Sequence, residues 1–243
     1  TLTGRGSVFV AWPFGPLAQG ETRRVSVRVT GTDGSVSDWS EPVPVQLTTA
    51  PGGFSVPAVH VEADGPSLLR TEITLRAAPV SARLYSTARG VYQVSIGGTD
   101  VDDHLLKPGW TPYDLRLLYE STDVTALLAA GTNALGVELA PGWFGEHYGF
   151  RGFTRRVWEG AYEVAVRLDV TYADGTSETF TTGPGWRGTA TSPVTASGIY
   201  AGEDYDARLA PAGWDSPGFD DSSWTPVTVA DPIVAEPRTA PIV

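Results

Sequence analysis

The chain has 243 residues, of which 41% are hydrophobic, 10% aromatic and 19% charged, and its formal net charge is −11. This charge argues against binding to nucleic acids or to an anionic membrane surface, and the absence of cysteine excludes disulfides and thiol chemistry. No apolar run has the length of a transmembrane helix. Glycine and proline number 28 and 19, which favours short strands joined by turns and predicts an all-β protein. Because methionine is absent, we expect the chain to be a piece of a longer protein.

Residues 1–50 carry the pattern of a small β domain. The segment RVSVRVTGTDGSVSDW at 24–39 alternates apolar and polar residues around an Asp33-Gly34 turn, which predicts a hairpin. The sequence WSEP at 39–42 resembles the end of a fibronectin type III domain, so we interpret this region as a partial domain of that kind. Trp39 is expected to be largely buried in it. The Pro- and Gly-rich residues 51–57 are expected to form a linker.

Short strands are predicted at regular spacing in the remainder of the chain. Their ranges are 71–77, 82–88, 91–97, 116–120, 133–140, 161–172 and 177–182. One short helix is predicted at 123–130, where Asp123 would cap it and Gly131 would end it. Residues after 183 are expected to be loop-rich and to be held by tryptophan side chains. So many strands with almost no helix predict a two-sheet β-sandwich or jelly roll.

The motifs of the common hydrolase mechanisms are absent from the sequence. There is no G-x-S-x-G elbow, and the three histidines do not form a pair at the spacing of a zinc site. A glycosidase needs two carboxyl groups about 5 to 10 Å apart, but nothing in the sequence singles out such a pair. We therefore assign no catalytic residue to this chain.

The stretch DVDDHLLKPGW at 100–110 concentrates carboxylates in a loop. Asp100, Asp102 and Asp103 are suited to calcium, which takes about six to eight oxygen ligands from loops of this kind. The alternative is a solvated turn in which the three acids bind nothing. Both interpretations remain open on the residues alone.

Aromatic residues in turn-rich stretches are the candidates for carbohydrate binding. Trp143 and Tyr148 lie in PGWFGEHYGF at 141–150, and an exposed ring of this kind can stack on the apolar face of a sugar. The alternative is that these rings close the open end of a sandwich. Trp110 follows a Pro-Gly turn and is expected to pack on the sandwich.

Residues 82–145 resemble the N-terminal β-sandwich region of bacterial alpha-L-rhamnosidases of glycoside hydrolase family 78. The landmarks are the PGW turn at 108–110, DVT at 123–125, GTNA at 131–134 and GWFG at 142–145. The stretches SGIYAGEDYDARL at 197–209 and GWDSPGFDDSSW at 213–224 fit the same family. The resemblance covers roughly residues 58–238.

The resemblance implies a jelly-roll domain at 58–238, with 239–243 starting a linker towards a catalytic region. In that family the catalytic residues lie on a later (α/α)₆ barrel, so this chain would be a non-catalytic carbohydrate-recognition or accessory part. The alternative is a purely structural module that supports the barrel. Some family members bind L-rhamnose through calcium in this position, which would give Asp102 and Asp103 to the ion. The implied partners are a rhamnose-containing carbohydrate and the catalytic domain of the same parent chain.

Overall fold

The computed structural model describes residues 3–4, 12, 14–18, 21–47, 49–149 and 155–238. The chain divides into two compact units, Thr1–Pro51 and Gly52–Val243. In the first unit, β1 (Thr22–Val25) pairs with β2 (Val43–Gln46) in an antiparallel sheet. The predicted hairpin is confirmed by an antiparallel bridge between Thr30 and Val36 around the Asp33-Gly34 turn.

Trp39 does not occupy the buried position that we expected. Its ring is 52% exposed, and the Arg28 guanidinium lies 4.8 Å from the ring centroid. The alternation of the hairpin therefore directs Trp39 to a surface where a cation covers one face of the ring, so the prediction of burial is wrong.

The second unit contains two six-stranded sheets. The first sheet consists of β3 (Phe54–His60), β5 (Ser81–Arg89), β8 (Leu118–Asp123), β12 (Glu163–Thr171), β13 (Ser177–Thr181) and β18 (Thr228–Pro237). The second consists of β4 (Ser67–Leu75), β6 (Val91–Ile96), β7 (Thr99–Asp100), β9 (Gly131–Ala140), β14 (Arg187–Thr189) and β17 (Thr225–Pro226). The remaining elements are short: β10 (His147–Tyr148) with β11 (Arg155–Arg156), β15 (Val194–Gly198) with β16 (Gly202–Tyr205), helix α1 (Gly142–Gly145), and 3₁₀ turns at Thr125–Leu127 and Ala207–Leu209.

The order of the second sheet is β17-β14-β4-β9-β6-β7. The order of the first is β13-β12-β3-β18-β8-β5, and β12 also pairs with β5 along its whole length. Because β5 at the end of this order also pairs with β12, the pairings of β12, β3, β18, β8 and β5 form a closed circuit, with β13 outside it. This arrangement confirms the all-β sandwich prediction.

The core lies between the sheets because alternate residues of each strand point to the same side. Leu135, Val137 and Leu139 of β9 supply one wall. Val164 and Val166 belong to the same buried cluster from β12. Each of these side chains is at most 2% exposed. On the opposite face of β9, Ala134 and Gly136 are covered by other residues, whereas Glu138 is exposed.

Two boundaries differ from the sequence predictions, and a third is not tested. Residues 54–57 belong to β3 and not to a linker, because Phe54 and Val56 are buried against the sandwich. The predicted helix at 123–130 is only the 3₁₀ turn Thr125–Leu127, although Asp123 does accept a hydrogen bond from the amide of Thr125. The predicted linker at 239–243 lies outside the described residues. In the part of the chain that the structure describes, no helix is long and apolar enough to cross a membrane.

Candidate carbohydrate-binding surface and its supporting loops

The loop after β7 is organised around one buried ion pair. Lys107 has a fully buried side chain, and its Nζ lies 2.7 Å from Oδ1 of Asp102. The same carboxylate accepts hydrogen bonds from the Thr122 hydroxyl at 3.0 Å and from the His104 amide at 3.1 Å. Burial alone would raise the pKa of Asp102, but the Lys107 ammonium and these donors hold it below its ordinary value. Asp102 is therefore an anchor of the loop.

The predicted calcium ligands do not gather into one set. Asp102 already faces Lys107, a cation, and Asp100 and Asp103 are exposed. Among the described residues, no group of three or more His, Cys, Asp or Glu side chains is arranged to hold a metal ion. The donor set does not fit a calcium ion held by Asp100, Asp102 and Asp103 together, since a cation at Asp102 would compete with the buried ammonium.

Asp100 instead belongs to a different group of acids on the outer face of the second sheet. Partial burial and the carboxylates of Asp100, Glu203 and Asp215 raise the pKa of Glu138. These residues come from β7, β9, β16 and the segment after it, so their proximity follows from the tertiary fold. Glu138 was not predicted to be a site residue, because the sequence pattern of β9 alone contains no signal for such a role.

Trp143 and Tyr148 do lie together, as expected from their shared loop. Trp143 belongs to α1 and is half-buried, and its carbonyl accepts a 2.9 Å hydrogen bond from the hydroxyl of Tyr148. The ring of Tyr148 makes edge-to-face contacts with Trp158 at 6.0 Å and with Tyr200 at 6.3 Å. Burial contributes most to raising the pKa of Tyr148. The phenol is therefore neutral at neutral pH and serves as a donor.

Glu146 holds this aromatic group to the β15–β16 hairpin. Its Oε2 accepts hydrogen bonds from the amides of Ile199 at 2.5 Å and Tyr200 at 3.3 Å, while Oε1 accepts from the His147 amide at 2.8 Å. Glu146 is thereby used as a structural acceptor. Tyr200, which the sequence analysis did not single out, is 71% exposed next to Tyr148.

Trp110 lies on the surface, and the prediction that it packs on the sandwich is wrong. It is 57% exposed, whereas Lys107 and Pro108 immediately before it are buried. A turn closed by the Leu106 carbonyl and the Gly109 amide at 2.9 Å separates the buried pair from Trp110. The turn therefore sends the ring outward.

The acidic and aromatic candidates belong to separate groups. Half-buried Trp143 and Tyr148 and exposed Tyr200 form one group, which we call the aromatic surface. Asp102 belongs to the Lys107 anchor, and Asp100 to the acidic group around Glu138. Within the described ranges, no hydrogen bond, ion pair or ring contact joins Asp102 or Asp103 to the aromatic surface.

These features define an all-β sandwich domain with exposed aromatic side chains on its connecting loops. Residues 77–242 match the family model described as the alpha-L-rhamnosidase N-terminal domain. The chain belongs to this family. Residues 1–50 match the Rha78A-like N-terminal immunoglobulin domain, so the fibronectin-like pattern of the first unit reflects a related β-sandwich class.

Similar proteins support this assignment. An alpha-L-rhamnosidase of Streptomyces avermitilis is 43% identical over 175 residues, which cover 72% of this chain and 17% of that protein. The solved alpha-L-rhamnosidase of Aspergillus terreus superposes with a TM-score of 0.79 at 34% identity, over 94% of this chain and 28% of that one. A structure of the Streptomyces avermitilis enzyme complexed with L-rhamnose gives 0.65 at 33% identity, over 86% of this chain and 23% of that one. The chain thus spans only a small part of the length of these relatives.

Proposed function

We propose that this chain is a non-catalytic carbohydrate-recognition and accessory part of an alpha-L-rhamnosidase. The whole protein would hydrolyse terminal L-rhamnose from glycosides or polysaccharides. The observation that carries the recognition role is the aromatic surface, in which Tyr200 is 71% exposed beside Tyr148 and Trp143. A relative with 33% identity has been solved with L-rhamnose, which supports rhamnose as the sugar to test first.

The chemistry of the aromatic surface suits a neutral sugar. An exposed ring offers a flat apolar face for the C–H groups of a pyranose, and neighbouring amide and hydroxyl groups can bond its oxygens. Glu146 binds the backbone amides of Ile199 and Tyr200, and the Tyr148 ring contacts the Tyr200 ring, so Tyr200 is partly ordered before a ligand arrives. A ring that is already held loses less conformational entropy on binding.

The second candidate is a structural module that supports the catalytic part of the same protein. It is favoured by large hydrophobic side chains that stay exposed in the 101–117 loop, such as Leu105 and Leu115. The two roles use different residues, and one domain can perform both. Calcium binding, which the sequence and the family resemblance suggested, stays a prediction, and the titration described next tests it.

Isothermal titration with L-rhamnose, in calcium and in chelator, tests the recognition role. We expect Tyr200→Ala to weaken binding about tenfold, the loss of one ring contact. Tyr205→Ala is the matched control, since Tyr205 is 60% exposed on the same hairpin. Absence of binding at millimolar L-rhamnose, both in calcium and in chelator, would contradict the recognition role and favour the structural one. Turnover of an aryl rhamnoside by the purified chain would contradict the non-catalytic assignment.

A further inference from the structure

The loop between β7 and β8 exposes an unusual amount of apolar surface. Leu105 and Leu115 are 83% and 85% exposed, the highest fractions among the large hydrophobic side chains that the structure describes. Leu106 and Trp110 are 52% and 57% exposed. The Tyr113 hydroxyl lies 3.5 Å from the Gly109 carbonyl and joins the two turns that carry these side chains. We call Leu105, Leu106, Trp110 and Leu115 the 105–115 surface.

This surface is presented by a firmly held loop. The buried Lys107 ammonium is bound by Asp102, which is itself bonded to Thr122 of β8. Leu106 has a φ of 55°, a left-handed conformation that is costly for a bulky side chain and persists only where the surroundings determine it. A loop that only had to stay soluble would need neither the buried ion pair nor two leucines in water. Several exposed apolar side chains close together in one loop are typical of an interaction site, whereas single ones are common on any surface.

The last strand ends beside this loop. The Glu236 amide donates to the carbonyl of Leu117 at 2.8 Å, and the Arg238 amide donates to that of Tyr119 at 2.9 Å. The Arg238 guanidinium pairs with Glu120 at 2.5 Å, and the other oxygen of Glu120 lies 3.9 Å from His104, the neighbour of Leu105. Arg238, the last residue that the structure describes, therefore lies close to the 105–115 surface.

We propose that the 105–115 surface is the docking face for the polypeptide that follows the N-terminal domain in alpha-L-rhamnosidases. This rests on the accessory role proposed above. The matched relatives are much longer than this chain, which covers 17% of the Streptomyces avermitilis protein. A covalently attached partner has an effective concentration of about millimolar. A patch of a few side chains is then sufficient for docking within one polypeptide, although it would be too small for a stable complex between two separate proteins.

Hydrogen exchange compares the 243-residue chain with a longer alpha-L-rhamnosidase polypeptide that contains it. We expect the amides of residues 101–117 to exchange at least tenfold more slowly in the longer polypeptide. The double variant Leu105→Ser/Leu115→Ser should lose this protection. Val80→Ser is the control, because Val80 is 58% exposed outside the loop. The double variant of the 243-residue chain should keep its melting temperature, since both side chains are in water, which separates a docking defect from unfolding.

Unchanged exchange in the longer polypeptide would overturn the proposal. Sedimentation of the 243-residue chain provides a second check: a dimer that the double variant abolishes would make a second copy the occupant and would also overturn it. The double variant should bind L-rhamnose as the wild type does. Absence of rhamnose binding by the wild type would therefore count against the recognition role alone. Absence of protection at residues 101–117 in the longer wild-type polypeptide would count against the docking role alone.

Discussion

Asp102 illustrates how a loop of acids can serve the fold. Its carboxylate is 12% exposed and lies between the Lys107 ammonium, the Thr122 hydroxyl and the His104 amide. Lys107 is also 5.5 Å from the ring of buried Tyr92, whose amide bonds the Lys107 carbonyl. The pair therefore joins β6, the loop and β8. Its role is to hold the conformation of the loop, because a buried ion pair adds little net stability compared with apolar side chains of similar size. Removing only one partner is strongly destabilising, since it leaves the other charge buried and unpaired.

Lys107→Met is expected to destabilise the protein by about 3 to 5 kcal/mol, since it leaves the Asp102 carboxylate without its cation in a largely buried position. The double variant Asp102→Asn/Lys107→Met should cost less than the sum of the single changes, because neither charge then remains unpaired. Urea unfolding of the four proteins measures this coupling. Additive costs would show that Asp102 and Lys107 act independently.

The anchor could be seen only in part from the sequence. Asp102 and Lys107 are five positions apart with two leucines between them, a spacing compatible with a pair inside one loop. The third partner, Thr122, comes from the next strand, and no local pattern connects it to Asp102. The residues alone therefore left a calcium site and a solvated turn as the two interpretations, and neither includes the ion pair with Lys107. Trp110 shows the same limit, since a turn predicts the backbone but not the side of the turn on which a ring lies.

Strands with a clean alternation were predictable, and proline-containing ones were not. In β9, Leu135, Val137 and Leu139 recur at every second position, as do four branched apolar residues from Val164 to Val170 in β12, and both strands were predicted to within about two residues. The strand β18 contains Pro232 and Pro237 and was expected to be a loop, yet it lies between β3 and β8. It tolerates Pro232 because the register shifts there, at a bulge between Ala230 and Pro232.

The segment after β16 covers the outer face of the second sheet. Buried Arg70 of β4 donates to the carbonyls of Trp214 at 2.8 Å and Ser216 at 3.3 Å, and it pairs with Asp221. Its guanidinium also lies 5.5 Å from the ring of Phe219. The tryptophan-rich tail is thus held by an arginine as well as by its own rings. The sequence predicted the aromatic part of this arrangement and missed Arg70.

The absence of a side chain at Gly136 of β9 lets the segment after β16 approach the second sheet closely. A Cβ at this position would lie 2.7 Å from the Asp215 Cβ, 2.7 Å from the Ser95 hydroxyl and 2.8 Å from the Trp214 ring. We expect Gly136→Ala to cost about 1 to 3 kcal/mol through overpacking. Gly65→Ala is the control, because a Cβ there meets nothing within 4 Å. Equal unfolding midpoints for the two variants would contradict the close approach.

The two units of the chain differ in how much of their apolar surface is buried inside each unit. The main apolar cluster is built from residues of the second unit alone, beginning with Val59 and ending with Val227. Both six-stranded sheets also start and end within Gly52–Val243. In the first unit, by contrast, Val27, Val29 and Trp39 are each more than half exposed. The larger unit therefore contains both sheets of the sandwich and the apolar core between them.

Residues 52–243 alone are accordingly expected to fold and to unfold cooperatively in urea. The midpoint should lie close to that of the main transition of the 243-residue chain, because the shared core is unchanged. The shortened protein should also bind L-rhamnose with the affinity of the complete chain, since Trp143, Tyr148 and Tyr200 all belong to the second unit. Circular dichroism and titration measure both properties. An unfolded product would mean that the first unit supplies contacts on which the sandwich depends. A folded product with lost rhamnose affinity would instead place part of the sugar site in residues 1–51.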